Sequence, residues 1–370
     1  MQRPEYEVAR AIRLFGKKFL QECAPNSFVV RTLDALSKCR TEALGGHAEK
    51  CDGCGHIRYS YNSCKNRNCP KCQSAKQAFW VEDRVEDALD VKHFHIVFTI
   101  PDKLNKVCFL DKKWFYNAMF SCVWDTLRTF GYSHYGVEAG AIAVLHTWGQ
   151  TLSFHPHIHC IMPAAGINLR GEMKYISKGG KYLFPVKMLS RVFRAKLLHK
   201  VKRKLKKSGL YPEYKSLVNH LWNIDWNVFC EPPMGDAKQI VKYLGQYTHR
   251  VAITNHRIKN IDEHSVVFSY KDYADHSRSK LMRLSGVEFL RRFAMHILPY
   301  RFVKIRYYGI YSSRAKSARC NSKKLKIKPV ENTLERLLRI TGFDACLCPK
   351  CKKGKMHVIE TIPKCRSPEN

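Results

Sequence analysis

Three histidines alternate in the segment SFHPHIHCIM, residues 153–162, at positions 155, 157 and 159. In a β-strand, side chains two residues apart point to the same face, so His157 and His159 direct their rings toward a common point. Histidines on strands are often ordinary core or surface groups, but two imidazoles on one face can also hold a divalent metal ion.

Two candidates for a third ligand precede this pair. Gln150 lies seven residues and His146 eleven residues before His157, both on the expected partner strand or its turn. Two imidazoles, one oxygen or nitrogen donor and open coordination positions suit a Mg²⁺ or Mn²⁺ ion that also holds a substrate phosphate. We therefore predict a catalytic metal site at His157 and His159, with Gln150 and His146 as alternative third ligands.

Two tyrosines four residues apart, Tyr243 and Tyr247, occur in the segment DAKQIVKYLGQYTHR. Asp236 suits a helix N-cap and the residues behind it have helical spacing, so both phenols are expected on one helix face. A pair with this spacing is commonly core packing. Near a metal site in a basic chain, a phenol can instead attack a metal-polarised phosphodiester and form a phosphotyrosine link.

The chain contains 16 cysteines. Because its N-terminus lacks the long apolar core of a secretory signal, we expect clustered C-x-x-C pairs to bind metal rather than form disulfides. Two such pairs occur in CDGCGHIRYSYNSCKNRNCPKC, and together they can supply the four thiolates of one tetrahedral structural zinc site. The predicted zinc ligands are Cys51, Cys54, Cys69 and Cys72.

Other residues leave the zinc set open. His47 and Cys64 could replace one member, complete a second site, or lie beside the site without binding. A further pair near the C-terminus, Cys348 and Cys351 in CLCPKCKKGKM, predicts a candidate second zinc knuckle. Its candidate partners are Cys346 and Cys365. The remaining cysteines are interpreted as small core residues.

The chain is strongly basic, with 65 Lys and Arg against 31 Asp and Glu and a formal charge of +34. Such a charge predicts a polyanionic partner, most often nucleic acid, because each neutralised phosphate releases a condensed counterion. A ribosome-like or membrane-surface protein is the alternative; the membrane version is disfavoured because no apolar run approaches the ~20 residues that span a bilayer. We expect a cytoplasmic protein.

Apolar periodicity indicates the elements that position these residues. Helical spacing is found from residue 1 to about 45 and from Ser74, and VKHFHIVFTIP indicates a buried strand. AGAIAVLHTWGQ is expected to form an antiparallel hairpin with the histidine strand. Further strands are expected at HSVVFSY and RFVKIRYYGIYSS, and between them Ser285 and Glu288 form a capping box that opens a helix.

Residues 186–209 predict an amphipathic helix with a dense Lys and Arg face. That face is either a solvated surface or a DNA-backbone contact, and the nearly unbroken positive charge favours DNA. From Arg314 the chain has the composition of a basic linker or arm. The expected DNA contacts in the helix and around the tyrosine pair are Lys202, Arg203, Lys204, Lys242, Arg250 and Arg257.

In combination, HPHIHC, YLGQYTHR and the cysteine segment resemble the two-tyrosine HUH transposases of rolling-circle insertion sequences, the IS ninety-one group. The resemblance covers nearly the whole chain, including KHFHIVFTIP, HTWGQTL, SGVEFLRRF and the late CPKC. It implies that His157 and His159 bind the metal and that Tyr243 and Tyr247 are the nucleophiles. It also implies an endonuclease and strand transferase that nicks single-stranded DNA at element ends, forms a 5′-phosphotyrosine intermediate and drives rolling-circle-type transposition.

The third ligand is the least direct part of the resemblance. In related HUH replication nucleases an acidic residue precedes the histidine pair on a neighbouring strand, and this chain has Gln150 at about that place, so His146 stays a candidate. His93 and His95 form another same-face pair on what should be an adjacent strand. They either line the site or pack in the core.

The implied fold class is α+β. An N-terminal helical and zinc-binding domain (1–88) precedes an HUH catalytic domain of antiparallel sheet and packed helices (89–313), followed by a basic C-terminal arm with the C-x-x-C knuckle (314–370). The expected cofactors are catalytic Mg²⁺ or Mn²⁺ and structural Zn²⁺. The expected partners are single-stranded element ends and target DNA, without a membrane; the oligomeric state is left open. The resemblance also implies a bacterial protein associated with the nucleoid.

Two rival functions remain at this stage. A non-catalytic, zinc-stabilised DNA-binding protein explains the charge and the cysteines but leaves the histidine and tyrosine pairs as coincidence. A metallohydrolase with a zinc-activated water needs further ligands close behind the histidine pair, and HCIMPA supplies no Asp or His there. It also predicts a released product rather than a protein–DNA adduct.

Overall fold

The computed structural model combines helices with antiparallel sheets. It describes residues 4–87, 89, 91–176, 183–231, 239, 245, 251–315 and 331–365. The α-helices discussed below are α1 (Val8–Cys23), α2 (Ser27–Ser37), α3 (Gln73–Asp87), α4 (Asn105–Leu110), α5 (Lys112–Tyr135), α6 (Val186–Lys207), α7 (Tyr211–Asn223), α8 (Gly286–Met295) and α9 (Thr333–Thr341). The strands are β1 (Gly46–Cys51), β2 (Ile57–Tyr61), β3 (His93–Thr99), β4 (Val137–Ala139), β5 (Ala141–Trp148), β6 (Phe154–Pro163), β7 (Ala165–Asn168), β8 (Met173–Tyr175), β9 (Val228–Glu231), β10 (Ile258–Ile261), β11 (Ser265–Asp272), β12 (Arg278–Ser285), β13 (Ile305–Tyr308) and β14 (Met356–Ile362).

The largest sheet is antiparallel and has the strand order β13-β5-β6-β3-β9. Strand β6 carries the alternating histidines and lies at the centre, hydrogen-bonded to β5 on one side and β3 on the other. β5 and β6 form the predicted hairpin, in which His146 stands directly opposite His157. The register shifts between His146 and Trp148, so the strand is locally bent beside the histidines.

The two faces of this sheet have different surroundings. One face is buried against α5, α6 and α7 in the main hydrophobic core, where Phe98 of β3 packs edge-on against Phe193 of α6 with ring centroids 5.1 Å apart. Ile158, between the two metal-ligand candidates, also lies in this core. Because alternate residues point to opposite faces, the histidines lie on the other face. Helix α6 and the histidines are therefore on opposite sides of the sheet.

A second core joins the N-terminal helices to residues near position 270. Phe15 and Phe19 of α1, Leu33 of α2, Phe268 of β11 and Phe289 of α8 are buried together there. The sheet β10-β11-β12 and helix α8 complete this unit. The predicted helical spacing before the cysteine segment is thus confirmed, and the apolar faces of α1 and α2 are buried against elements distant in the sequence.

The C-terminal part of the chain returns to the N-terminal part. Strand β14 pairs with β1 in a sheet of order β14-β1-β2. On α9, Arg336 donates hydrogen bonds of 2.7 and 2.6 Å to Glu82 and Asp83 of α3. Part of the predicted basic arm (316–330) lies outside the described residues. The described part of the arm contacts elements on the other side of the predicted domain boundaries at 88 and 313, and these boundaries remain predictions.

Several sequence-based expectations are confirmed in detail. The basic helix predicted over 186–209 is α6, and HSVVFSY lies in β11. The oxygen of the Ser285 side chain caps α8 by accepting from the backbone N–H of Glu288 at 3.3 Å. The carboxylate of Glu288, however, accepts from Arg291 and Arg292. It therefore does not accept from the backbone N–H of Ser285, which would complete the capping box. Among the described residues, no helix has the length and apolar character to cross a bilayer.

Candidate active site and cysteine clusters

A group of three histidines forms on the face of the sheet opposite α6. His146 on β5 and His157 and His159 on β6 each offer one ring nitrogen, and these nitrogens all lie within 4.8 Å of one another. His146 and His159 are buried, with 2% and 7% of their surface exposed, whereas His157 is only partly buried. The group is therefore fixed by the sheet and reachable from solvent at His157.

The ring of His157 is held by its own strand. Its Nδ1 lies 2.7 Å from the backbone carbonyl oxygen of His155, so Nδ1–H donates to that oxygen and Nε2 is the nitrogen that can bind a metal. Burial lowers the pKa of His157 to about 4. The imidazole is therefore neutral at pH 7, as metal binding requires.

The ring of His159 is held by the neighbouring strand β3. Nδ1 of His159 lies 2.9 Å from Nε2 of the buried His95. The second histidine of that strand, His93, has Nδ1 2.8 Å from the carbonyl oxygen of Val91 and Nε2 2.5 Å from the hydroxyl of Tyr311. His95 is thus in contact with the histidine group, and His93 is part of the packing around it.

The two candidates for the third ligand have different surroundings. His146 belongs to the histidine group, and its ring stacks on Trp148 with centroids 4.6 Å apart. Gln150 lies in the turn after β5, where its side-chain amide donates to the hydroxyl of Tyr273 at 3.2 Å. The structure therefore brings His146 to the pair, while the amide of Gln150 is engaged with Tyr273.

The predicted nucleophiles Tyr243 and Tyr247 lie outside the described residues, as do Lys242 and Arg250. The two described residues of that segment, Gln239 and Gly245, are helical. A methyl group at Gly245 would collide with Val81 of α3, so Gly245 lies directly against that helix.

Helix α3 contacts the histidine-bearing face of the sheet. The indole N–H of Trp80, next to Val81, donates to the hydroxyl of Tyr307 on β13 at 3.0 Å. Tyr307 pairs with Ile142 of β5, and Ile142 with Ile161 of β6. Ile161 is two residues from His159, so Tyr307 points to the histidine side of the sheet. Gly245, which stands between the two tyrosines in the sequence, therefore packs on a helix that contacts this side.

The cysteines predicted to form one zinc site are divided between two clusters. Cys69 and Cys72 group with Cys39 and Cys64, whereas Cys51 and Cys54 group with Cys348 and Cys351. The single site of Cys51, Cys54, Cys69 and Cys72 is thus corrected: in the fold the two C-x-x-C pairs have different partners. His47 is in neither cluster and lies 3.6 Å from the carboxylate of Glu49.

The first cluster contains a residue that sequence reasoning placed in the core. Cys39 follows α2, its Sγ lies 3.5 Å from Sγ of Cys72, and it accepts from the backbone N–H of Cys64 at 3.5 Å. Sγ of Cys64 is 3.7 Å from Sγ of Cys72. Tetrahedral zinc with bonds of about 2.3 Å places its sulfur ligands roughly 3.8 Å apart, so these distances fit a four-thiolate site. The spacing of Cys64, Cys69 and Cys72 was a usable signal, but nothing local marked Cys39.

The predicted DNA contacts of α6 have unequal surroundings. Arg203 is exposed, Lys202 lies over the ring of Tyr211 at 5.5 Å, and Lys204 forms a 3.2 Å ion pair with Asp111. A groove of about 740 Å³ runs between α5 and α6 and is lined by Arg128, Lys196, Lys200, Lys202, Arg203 and Lys206 among others. The basic face is thus a concave surface. Lys204 lies outside this groove and lines an adjacent one with Lys200, Arg203 and Lys207.

Arg257, another predicted DNA contact, is used inside the protein. Its Nε donates to the carbonyl oxygen of Ser269 at 2.8 Å, and its guanidinium also donates to the carbonyl oxygen of Gln150. The arginine lies over Phe268 at 5.7 Å. It therefore joins strand β11 to the turn between β5 and β6.

Comparison with known proteins gives two family matches that together span most of the chain. Residues 140–319 match the family described as "Putative transposase", and residues 11–100 match a "Transposase zinc-binding domain". The chain is 38% identical to "Putative transposase y4qJ" of Sinorhizobium fredii over 97% of this chain and 96% of the relative. It is 26% identical to "Transposase for insertion sequence element IS801" of Pseudomonas savastanoi pv. phaseolicola, over 80% of this chain and 73% of the relative. No solved structure matches the chain.

Proposed function

Because the chain belongs to the IS91-type transposases with an N-terminal zinc-binding domain, we propose that it nicks single-stranded DNA by metal-assisted tyrosine attack. Proteins of this family are DNA-processing enzymes. The proposal adds the HUH chemistry: a 5′-phosphotyrosine intermediate at the element ends and rolling-circle-type transposition. The observation that carries it is the grouping of His146, His157 and His159 on one face of a central strand.

In the proposed reaction a phenolic oxygen, from Tyr243 or Tyr247, loses its proton and attacks the phosphorus of the scissile phosphodiester. The bond from phosphorus to O3′ breaks, O3′ takes up a proton and leaves as a free 3′-hydroxyl, and the 5′-phosphate remains esterified to the tyrosine. A metal ion bound by the three histidines would stabilise the negative charge that develops on the phosphate oxygens. The second tyrosine allows a second strand transfer while the first DNA end stays attached.

The histidines themselves are arranged for metal binding. His157 uses Nδ1 to donate to its own strand, and His159 has Nδ1 against His95, so we propose Nε2 of each ring as the metal ligand. Three imidazoles form a nitrogen donor set, which first-row transition ions accept more readily than Mg²⁺, an ion that prefers oxygen ligands. We therefore propose Mn²⁺ as the better of the two expected cofactors.

The position of Gly245 supports the proposed role of the tyrosine segment. Gly245 lies between the two tyrosines in sequence and packs on α3 at Val81. The adjacent Trp80 connects α3 to the histidine side of the sheet through Tyr307. We propose on this basis that the tyrosines of this segment act at the metal face.

DNA is proposed to contact the protein on a second surface as well. The groove between α5 and α6 is lined mainly by Lys and Arg, and it lies behind the sheet, away from the histidines. Backbone contacts of this kind supply affinity without sequence recognition. We propose that this groove holds DNA adjoining the cleaved strand.

One observation favours a second candidate function, a metal-dependent phosphodiesterase. Three imidazoles with an open position can also activate a water molecule, as in zinc hydrolases, and the structure supplies the third imidazole through His146. The two reactions differ in product: water attack releases a free 5′-phosphate, whereas tyrosine attack leaves that phosphate on the protein.

The test is cleavage of labelled single-stranded DNA from the ends of the element in the presence of Mn²⁺. The proposal predicts nicking by the wild type and background activity for His157→Ala and His159→Ala. His155→Ala is the matched control, because it removes the third alternating imidazole, which lies outside the group and near Asp102, and it should cleave like the wild type. Equal cleavage by all variants, or tight binding without cleavage with any divalent ion, would overturn the proposal.

A further inference from the structure

The second cysteine cluster joins residues almost three hundred positions apart. Cys51 and Cys54 lie at the end of β1 and in the turn after it, and Cys348 and Cys351 lie in the loop before β14. Sγ of Cys51 is 3.7 Å from Sγ of Cys351, and Sγ of Cys54 is 3.7 Å from Sγ of Cys348. These separations match the roughly 3.8 Å expected between thiolates on one tetrahedral zinc ion.

The backbone around the cluster is built to bring the two loops together. The backbone N–H of Gly354 donates to Sγ of Cys351 at 3.3 Å, and the N–H of Lys355 donates to a carboxylate oxygen of Asp52 at 2.7 Å. A methyl group at Gly354 would lie 2.6 Å from both Sγ of Cys51 and the Asp52 carboxylate. Only glycine allows the C-terminal loop to approach the N-terminal knuckle this closely.

Hydrophobic burial is too small to hold this region by itself. The buried apolar cluster here consists of Cys51, Cys348 and Met356, with Cys351 packed beside it, and Ala48 of β1 is also buried. Along β14 the side chains between Met356 and Ile362 are exposed. A strand with so little buried surface needs another source of stability, and a structural metal supplies it in small units of this kind.

We infer that Cys51, Cys54, Cys348 and Cys351 bind a second structural zinc ion, separate from the one at Cys39, Cys64, Cys69 and Cys72. This ion would hold the C-terminal strand β14 against β1, so that these two distant parts of the sequence complete one zinc-binding unit. The inference does not depend on the proposed chemistry at the histidines, because its test compares zinc content with and without Cys348 and Cys351 while the histidines are unchanged.

The first test is zinc content of the full-length protein by mass spectrometry, after removal of loosely bound metal. Cys348→Ser/Cys351→Ser should hold one zinc ion per chain fewer than the wild type. Cys346→Ser is the matched control, because this cysteine lies on the same loop outside both clusters, and it should keep the zinc content of the wild type. Equal zinc content in the wild type and the double variant would overturn the inference.

A second measurement avoids variants that fail to fold. In the wild-type protein, Cys54 is exposed like Cys365, yet it should resist alkylation by iodoacetamide until a chelator is added, while Cys365 reacts at once. Peptide mapping would identify each modified thiol. Alkylation of Cys54 at the rate of Cys365 before chelation would contradict a bound metal at this cluster.

Discussion

Nε2 of His95 on β3 lies 2.9 Å from Nδ1 of His159 on β6, and the two imidazole planes are only 4° apart. A metal ion on Nε2 of His159 leaves the proton on Nδ1, and that proton then points directly at His95. Partners of this kind fix the tautomer and orientation of a metal-bound histidine. His95 is therefore a positioning residue, one strand away from the ligands.

The first prediction follows from that contact. His95→Ala removes the acceptor for His159 and should lower Mn²⁺ affinity about 10- to 100-fold. His95→Gln, whose side-chain oxygen can accept the same proton, should recover part of the loss. Calorimetric titration with Mn²⁺ measures both, and His93→Ala, which removes the other buried histidine of the same strand, is the control. An unchanged Mn²⁺ affinity in His95→Ala would show that His159 binds the metal without a hydrogen-bond partner at Nδ1.

The second prediction separates the two candidates for the third ligand. His146→Ala should weaken Mn²⁺ binding strongly because it removes one nitrogen of the group. Gln150→Ala should change it little, because the amide of Gln150 is engaged with Tyr273. Titration of both variants with Mn²⁺ measures the two affinities. A larger loss of Mn²⁺ affinity in Gln150→Ala than in His146→Ala would make Gln150 the third ligand.

The third prediction concerns the packing of Gly245 on Val81. Gly245→Ala places a methyl group where Val81 stands, so the tyrosine segment should be displaced and DNA cleavage should fall well below wild type. Val81→Ala makes room, so the double variant Val81→Ala/Gly245→Ala should regain cleavage, whereas Val81→Ala alone should cleave nearly normally. Single-turnover cleavage rates measure the effect. No loss in Gly245→Ala would mean that the close approach is unimportant for chemistry.

The fourth prediction concerns the groove behind the sheet. Arg203→Ser/Lys206→Ser removes two charges from it and should reduce the slope of log K against log salt for single-stranded DNA by about 1.4. Lys204→Met, which removes a lysine already paired with Asp111, should change the slope less. At saturating DNA the cleavage rate should stay at the wild-type value, because the histidines are on the opposite face. An unchanged salt slope in the double variant would show that DNA does not bind in this groove.

The parts of the site that could be predicted from the sequence are those set by local geometry. The period of two in HPHIHC placed His157 and His159 on one face, and the same rule identified His93 and His95 as a pair on the next strand. The hairpin of β5 and β6 followed from its two apolar runs and short loop. The choice of His146 over Gln150 depends on the exact register of that hairpin, and the shift after His146 has no sequence signature.

Long-range pairing explains the parts that could not be predicted. Spacing suggested that Cys51 and Cys54 share a metal with Cys69 and Cys72, because the two pairs are close in sequence. In the fold, β14 pairs with β1 and carries Cys348 and Cys351 to the first pair, while the end of α2 carries Cys39 to the second. A knuckle has no local feature that selects its partner. Its partner is decided by which strands form a sheet.

The most direct test of the central claim is the fate of the 5′-phosphate after cleavage. Protein, Mn²⁺ and labelled single-stranded DNA from the element ends are combined, separated on a denaturing gel, and the adduct is mapped by peptide mass spectrometry. We expect a metal-dependent, protease-sensitive adduct on Tyr243 or Tyr247 that is lost in Tyr243→Phe/Tyr247→Phe and in His157→Ala. Cleavage that releases a free 5′-phosphate without any adduct, and that persists in the double tyrosine variant, would contradict tyrosine attack.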